Sequence, residues 1–204
     1  MNERGMIFNA EMVRAILEGR KTQTRRPIKW KQTRFTEIGE REDGSNWPWS
    51  EDTEKVCDYW HPCPFGAVGD RIWVRETFRV HSRATDVATL VYRASVRNSW
   101  TEQTHRVPVA VCNKPATPEK WTPSIHMPRW ASRILLEIID VRVERLNSIT
   151  ESDAEAEGVT DTGFGDLLVD GFRYLWKSIY GDDSWQANPW VWVIEFKRVE
   201  GGAA

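Results

Sequence analysis

The chain has 204 residues, 40% of them hydrophobic, with 28 Lys and Arg against 30 Asp and Glu and a formal net charge of −2. That suffices for a substantial core, in one domain with insertions or in two small ones. The near-neutral balance argues against bulk electrostatic binding to nucleic acid, no apolar run reaches the ~18 residues of a membrane span, and three cysteines make no disulfide framework.

Without a secretion signal at its start, the chain is expected to be cytoplasmic, with no membrane partner. The charge is unevenly spread. Residues 1–34 carry nine Lys and Arg against Glu3, Glu11 and Glu18, whereas residues 150–183 carry nine acids against Arg173 and Lys177. Such asymmetry permits a local anionic ligand, and equally an attraction between the two segments. Twelve tryptophans fill a core and leave several for stacking on a planar ligand.

Asn9 is placed to cap a helix whose apolar positions Met12, Val13, Ile16 and Leu17 share one face, and Gly19 is a natural stop. A basic loop follows, Gly19-Arg20-Lys21-Thr22-Gln23-Thr24-Arg25-Arg26, which Pro27 keeps from continuing as helix. A lysine is a poor base in water, with an ordinary pKa near ~10.4. Neighbouring cations and burial disfavour its ammonium form and make it usable as one. Arg20, Arg25 and Arg26 supply the cations, and Thr24 offers a hydroxyl to activate. The same cluster also reads as a basic turn that binds phosphate or only water.

Residues 31–66 are polar and rich in Trp, Pro, Asp and Glu, which predicts an irregular insertion. Within it Cys57, His61 and Cys63 have a spacing that zinc could use, with Cys112 as a remote fourth ligand, although the surroundings equally suit packed thiols. Gly69-Asp70 turns into Arg71 to Phe78, which alternates as a strand. Glu76 falls on its apolar face, so its carboxyl is either paired or titrates high. Thr89 to Ala94 is a short strand, and residues 95–124 form a second polar insertion. In His126 to Arg133, Arg129 is suited to grip a phosphate or carbonyl. Trp130 is suited to stack on a base, or to pack in the core.

Ser132 to Leu146 is a long β-rich run. Thr150 to Glu157 reads as a two-turn helix with a capping box of Thr150 and Asp153 and a stop at Gly158. Glu157 sits in its last turn, where the helix dipole disfavours a negative charge, so this carboxylate wants a cationic partner or a task. Phe172 to Tyr180 is a further helix. Asn188-Pro189 precedes a closing strand, Trp190 to Val199. The order predicts an α+β domain over residues 1–204, built on a small antiparallel sheet or barrel. No G-x-S-x-G, Walker, H-E-x-x-H or Rossmann pattern is present.

Four segments together resemble the ASCH family, of PUA-like fold. They are Ile16-Leu17-Glu18-Gly19-Arg20-Lys21-Thr22-Gln23-Thr24, Gly69-Asp70-Arg71-Ile72-Trp73-Val74, Ile149-Thr150-Glu151-Ser152-Asp153-Ala154-Glu155-Ala156-Glu157 and Val193-Ile194-Glu195-Phe196-Lys197. With its two insertions the chain is similar to the longer ASCH proteins often carried by phages and prophages. The resemblance implies a small β-barrel with peripheral helices. It also implies the activity of the N4-acetylcytidine amidohydrolases, which use a lysine, a threonine and a glutamate that fall here on Lys21, Thr24 and Glu157. Lys21 would take the proton of Thr24 as it attacks the amide carbonyl, and Glu157 would protonate the departing cytosine amine. Arg20, Arg26, Glu76, Arg129 and Trp130 are the candidate substrate contacts, with Glu76 a rival acid and partner for Lys21. This chemistry calls for neither metal nor cofactor. Other family members are thought to bind RNA, so the alternative is an RNA-binding module whose basic loop holds phosphates.

Overall fold

The computed structural model describes residues 1–29, 36–52, 57–160 and 167–199. The strands are β1 (Glu3–Ile7), β2 (Gln23–Pro27), β3 (Thr36–Glu40), β4 (Asn46–Asp52), β5 (Cys57–Trp60), β6 (Arg71–Arg75), β7 (Phe78–Arg83), β8 (Val87–Tyr92), β9 (Thr104–Pro108), β10 (Leu135–Arg145) and β11 (Trp190–Arg198). The helices are α1 (Ala10–Leu17), α2 (Trp100–Gln103), α3 (Glu151–Ala156) and α4 (Leu168–Tyr180). The contacts of this α+β chain gather into two compact units, each made of separated segments. One holds the described residues of 1–19, 70–137 and 198–204, the other those of 20–69 and 138–197.

In the first unit β1 runs parallel to β6, and β6 pairs antiparallel with the start of β10. The alternation expected of β6 is present: Ile72 and Val74 are buried, while Arg71, Trp73 and Arg75 are half-buried. Gly5 faces Trp73 across the ladder, and a Cβ there would come within 2.5 Å of the indole. Helix α1 begins where expected, with the Asn9 side chain accepting from the Met12 N–H at 2.8 Å, and Met12, Val13, Ala15 and Ile16 are buried. The strand expected to run unbroken to Phe78 ends at Arg75, and β7 starts a separate antiparallel sheet in the order β7-β8-β9. Phe78, Val80, Leu90, Tyr92 and Met127 form its core. The 95–124 segment is therefore not irregular throughout, since it supplies α2 and β9.

In the second unit β11 lies between β10 and β2. Residues 23–27, expected as loop, are strand, paired antiparallel with β11 so that Thr24 faces Ile194 and Arg26 faces Trp192. Pro27, which lacks an N–H, is tolerated because β2 is an edge strand. Helices α3 and α4 enclose a core of Leu146, Ile149, Ala154, Phe172, Trp176, Val191 and Val193. The 31–66 segment is likewise more regular than expected. Its strands form an antiparallel meander, β3-β4-β5, in which Arg41 lies 3.9 Å over the Trp47 ring and Trp47 meets Trp192 edge-on at 5.0 Å. Among the described residues no sheet closes into the expected barrel, because β1 and β2 each pair on one side only. No helix among them is long and apolar enough to cross a membrane.

Candidate active site

The site is built on the two ends of α3. At its start Thr150 Oγ1 accepts from the Asp153 N–H at 3.1 Å and Asp153 Oδ2 accepts from the Thr150 N–H at 3.0 Å, the capping box the sequence predicts. At its end Gly158 takes φ 87°, its N–H bonds to Glu155 O at 2.8 Å, and the Val159 N–H bonds to Ala154 O at 3.2 Å. This is a Schellman closure, and it makes Glu157 the C-terminal cap residue.

The carbonyls left over at a helix end need donors, and the negative end of the helix dipole favours cations. The segment before β2 supplies both. Ala156 O accepts from the Thr22 N–H at 2.8 Å, Glu157 O from Lys21 Nζ at 2.8 Å, and Gly158 O from an Arg20 guanidinium N–H at 2.9 Å. Three successive residues thus hold three successive carbonyls. Since the Thr22 N–H is occupied, it is no candidate for an oxyanion hole.

Lys21 Nζ also donates to Glu157 Oε2 at 2.7 Å, with the side chains 0% and 2% exposed. Burial pushes the Lys21 ammonium down; the Glu157 carboxylate opposes this, and the charges of Arg26 and Arg25 add to it. The other Glu157 oxygen, Oε1, lies 3.5 Å from Arg25, whose buried guanidinium also reaches Glu144 and Asp153, each at 3.2 Å. Gln23 donates to Asp153 as well, and Arg142 joins Glu144, Asp140, Asp153 and Glu195 further out. Burial works against the Asp153 carboxylate, but bonds from Thr150 and Gln23 and the charge of Arg25 outweigh it and hold its pKa down to about 2.

Gln23 and Arg25 both reach Asp153, so by strand alternation Thr24 and Arg26 take the opposite face of β2. Thr24 is buried, and Arg26 is half-buried beside Trp192. No protein-family model, curated protein or solved structure matches the chain.

Among the described residues the structure therefore joins Lys21 to Glu157, turns Thr24 to the other face of β2 with no hydrogen bond to either, and gives Arg20, Glu76, Arg129 and Trp130 partners of their own. Glu76 belongs to the first unit, where it is buried against Arg133 with bonds of 2.9 and 3.1 Å. Burial pushes its carboxyl up while Arg133 pulls it down, and Arg133 also lies over the Tyr92 ring at 4.0 Å. Glu76 is thus both paired and raised, and the carboxylate on Lys21 is that of Glu157. Arg129 bonds Glu3 at 2.8 Å on the surface. Trp130 packs edge-on against Phe78 at 6.3 Å, next to the first unit's core.

Of the sulfur and imidazole candidates, His61 Nε2 meets Ser50 Oγ at 2.9 Å, and Cys63 is buried. Cys112 lies in the first unit's core, and the Cys57 side chain is outside the described residues. Among the described residues no group of three His, Cys, Asp or Glu side chains is set to hold a metal ion. The sequence reading missed how Arg25 is engaged, as well as Glu144 and Arg142. A signal was present in the alternating charges Asp140, Arg142 and Glu144, which share one face of a strand.

Proposed function

We propose that the chain is an amidohydrolase that cleaves the N4-acyl amide of acylated cytosine nucleosides such as N4-acetylcytidine. Lys21 is its base, Thr24 its nucleophile and Glu157 its acid, the roles implied by the resemblance to the ASCH amidohydrolases. The observation that carries this reading is the buried Lys21–Glu157 contact of 2.7 Å, three residues from a buried threonine.

An ammonium and a carboxylate removed from water can exchange their charges for a neutral amine and a carboxylic acid by moving one proton along their hydrogen bond. That single transfer produces both groups the reaction needs. Thr24 Oγ attacks the amide carbon as Lys21 takes its proton, and Glu157 gives its proton to N4 as the C–N bond breaks, leaving acyl-threonine and a free amine. Water then attacks the ester while the Glu157 carboxylate takes its proton. Lys21 returns a proton to Thr24 Oγ, and the neutral pair is restored. Because Thr24 is buried and faces away from Glu157 across β2, this reading requires the edge around β2 to open, both to admit substrate and to bring the hydroxyl to Lys21.

An RNA-binding reading is less well supported. It needs the basic segment to present its cations to phosphates, whereas Lys21 and Arg25 have interior carboxylate partners and Arg20 bonds a helix carbonyl. The test is hydrolysis of N4-acetylcytidine by the purified protein and by Thr24→Ala. Cytidine release that disappears in the variant is the expected result, with Glu157→Gln slowed roughly 10²–10⁴-fold. No release by the folded wild type across a range of N4-acyl groups would overturn the reading.

A further inference from the structure

We propose that Arg25 is a positioning residue for the Lys21–Glu157 pair, taking one oxygen of the Glu157 carboxylate and leaving the other to Lys21. The inference rests on the function proposed above and adds to it a residue outside the lysine, threonine and glutamate. Three observations carry it. The Arg25 side chain is 0% exposed, so it does not serve the surface. Its terminal nitrogens are shared among Glu157, Glu144 and Asp153, which come from the end of α3, from β10 and from the first turn of α3. And Lys21 and Arg25 meet different oxygens of one carboxylate, Oε2 and Oε1, which holds that group in one orientation.

Chemistry follows from the placement. The charged and titratable groups around the pair are Arg25 and Arg26 from β2, Asp153 from α3, and Glu144 and Arg142 from β10, with Glu195 from β11 beyond Arg142. Arg25 is the cation that touches the carboxylate directly besides Lys21. A fixed cation makes it easier for Glu157 to release its proton to the leaving amine, and it repels the ammonium on Lys21. The pair is active while it holds one proton between its two members, so its rate–pH curve is a bell whose two limbs belong to the pair. Removing Arg25 favours the protonated forms on both limbs, and the whole bell moves to higher pH. A guanidinium that only braces the fold would not move it.

The experiment compares wild type, Arg25→Gln and Arg25→Lys. Rate–pH profiles with N4-acetylcytidine are recorded beside a titration of the Lys21 side chain by NMR on selectively labelled protein. The expected result for Arg25→Gln is a bell displaced upward by about one pH unit or more, a lower kcat and little change in KM. Arg25→Lys, which keeps the charge, restores much of the position of the bell. The Lys21 titration is displaced in the same direction. A bell and a Lys21 titration at wild-type pH in both variants, with only thermal stability lowered, would overturn the proposal. If Arg25→Gln does not fold, Arg25→Lys decides through the KM-against-kcat split: a fall in kcat alone supports positioning, and unchanged kinetics overturn it. A wild type that shows no turnover sinks the amidohydrolase reading alone, because the Lys21 titration still reports on Arg25.

Discussion

At the scale of single residues, Lys21 and Glu157 are unequal members of one ion pair. Glu157 has a second cation in Arg25, whereas Lys21 has, besides this carboxylate, only the carbonyl of the same residue among its described partners. Breaking a buried pair costs the most where the survivor is left without a counter-charge, on the order of 3–5 kcal/mol. Glu157→Leu should therefore destabilise by about that amount, and Lys21→Met by only about 1–3 kcal/mol because Arg25 remains to hold the carboxylate. Urea denaturation at neutral pH measures both, and a larger loss for Lys21→Met would contradict this ordering. The activity should also rise through a limb well below the ~10.4 of an ordinary lysine, since burial and the neighbouring arginines push the ammonium down. A rate that climbs only above pH 10 would remove Lys21 from the role of base. These residue types were legible in sequence, and Glu157 was singled out because a carboxylate at a helix C-terminus needs a cation. The division of its two oxygens was not legible, because it depends on β2 and the end of α3 meeting across more than 130 residues of chain.

Among the elements, α3 carries the most consequence for its six residues. Its capping box also makes stability depend on pH. Asp153 titrates near 2 in the folded chain and near ~3.9 when unfolded. A depressed carboxylate stabilises fully above its unfolded value and loses that contribution as pH falls from about 4 toward 2. The effect is on the order of 2 kcal/mol. Asp153→Asn should flatten the acid side of the stability curve, read as the thermal midpoint against pH, and Thr150→Ala should cost about 1 kcal/mol at neutral pH. Gly158→Ala, at φ 87°, should cost roughly 1 kcal/mol and lower kcat as well, because the strained turn shifts Glu157. Loss of stability with kcat unchanged would mean that the Schellman closure does not position the acid. Helices α1 and α3 were legible because caps and glycine stops are local chemistry. By contrast β2 looked like a basic loop, since an edge strand reading Gln23-Thr24-Arg25-Arg26 has no apolar period. The β3-β4-β5 meander hid for a related reason. Its aromatic residues interact across strands, as Trp49 does with Trp60, rather than along them.

At the scale of the whole molecule, charge separates the proposed function from RNA binding. The chain carries a net −2, and several of its cations face inward to carboxylates. Hydrolysis of an uncharged nucleoside should therefore change less than about twofold across a tenfold rise in salt. Binding through six to ten phosphates would weaken by roughly 10³–10⁵ over a smaller range. Measuring kcat/KM against salt decides between them. At this scale the α+β class was legible from the order of periodic segments. Closure of a barrel was not, since it is a property of edges, and nothing in the composition of β1 or β2 reveals whether a further strand lies beside them. The seating of residues 20–22 on residues 156–158 has a consequence that no single substitution exposes. Each donor is assigned to one carbonyl, so adding or deleting one residue between Gly19 and Gln23 would move every donor by one place and bring Arg20 or Thr22 to the place Lys21 holds beside Glu157. The number of residues in that segment is therefore as much a determinant of the site as their chemistry, and a change of length there should cost more than any single replacement.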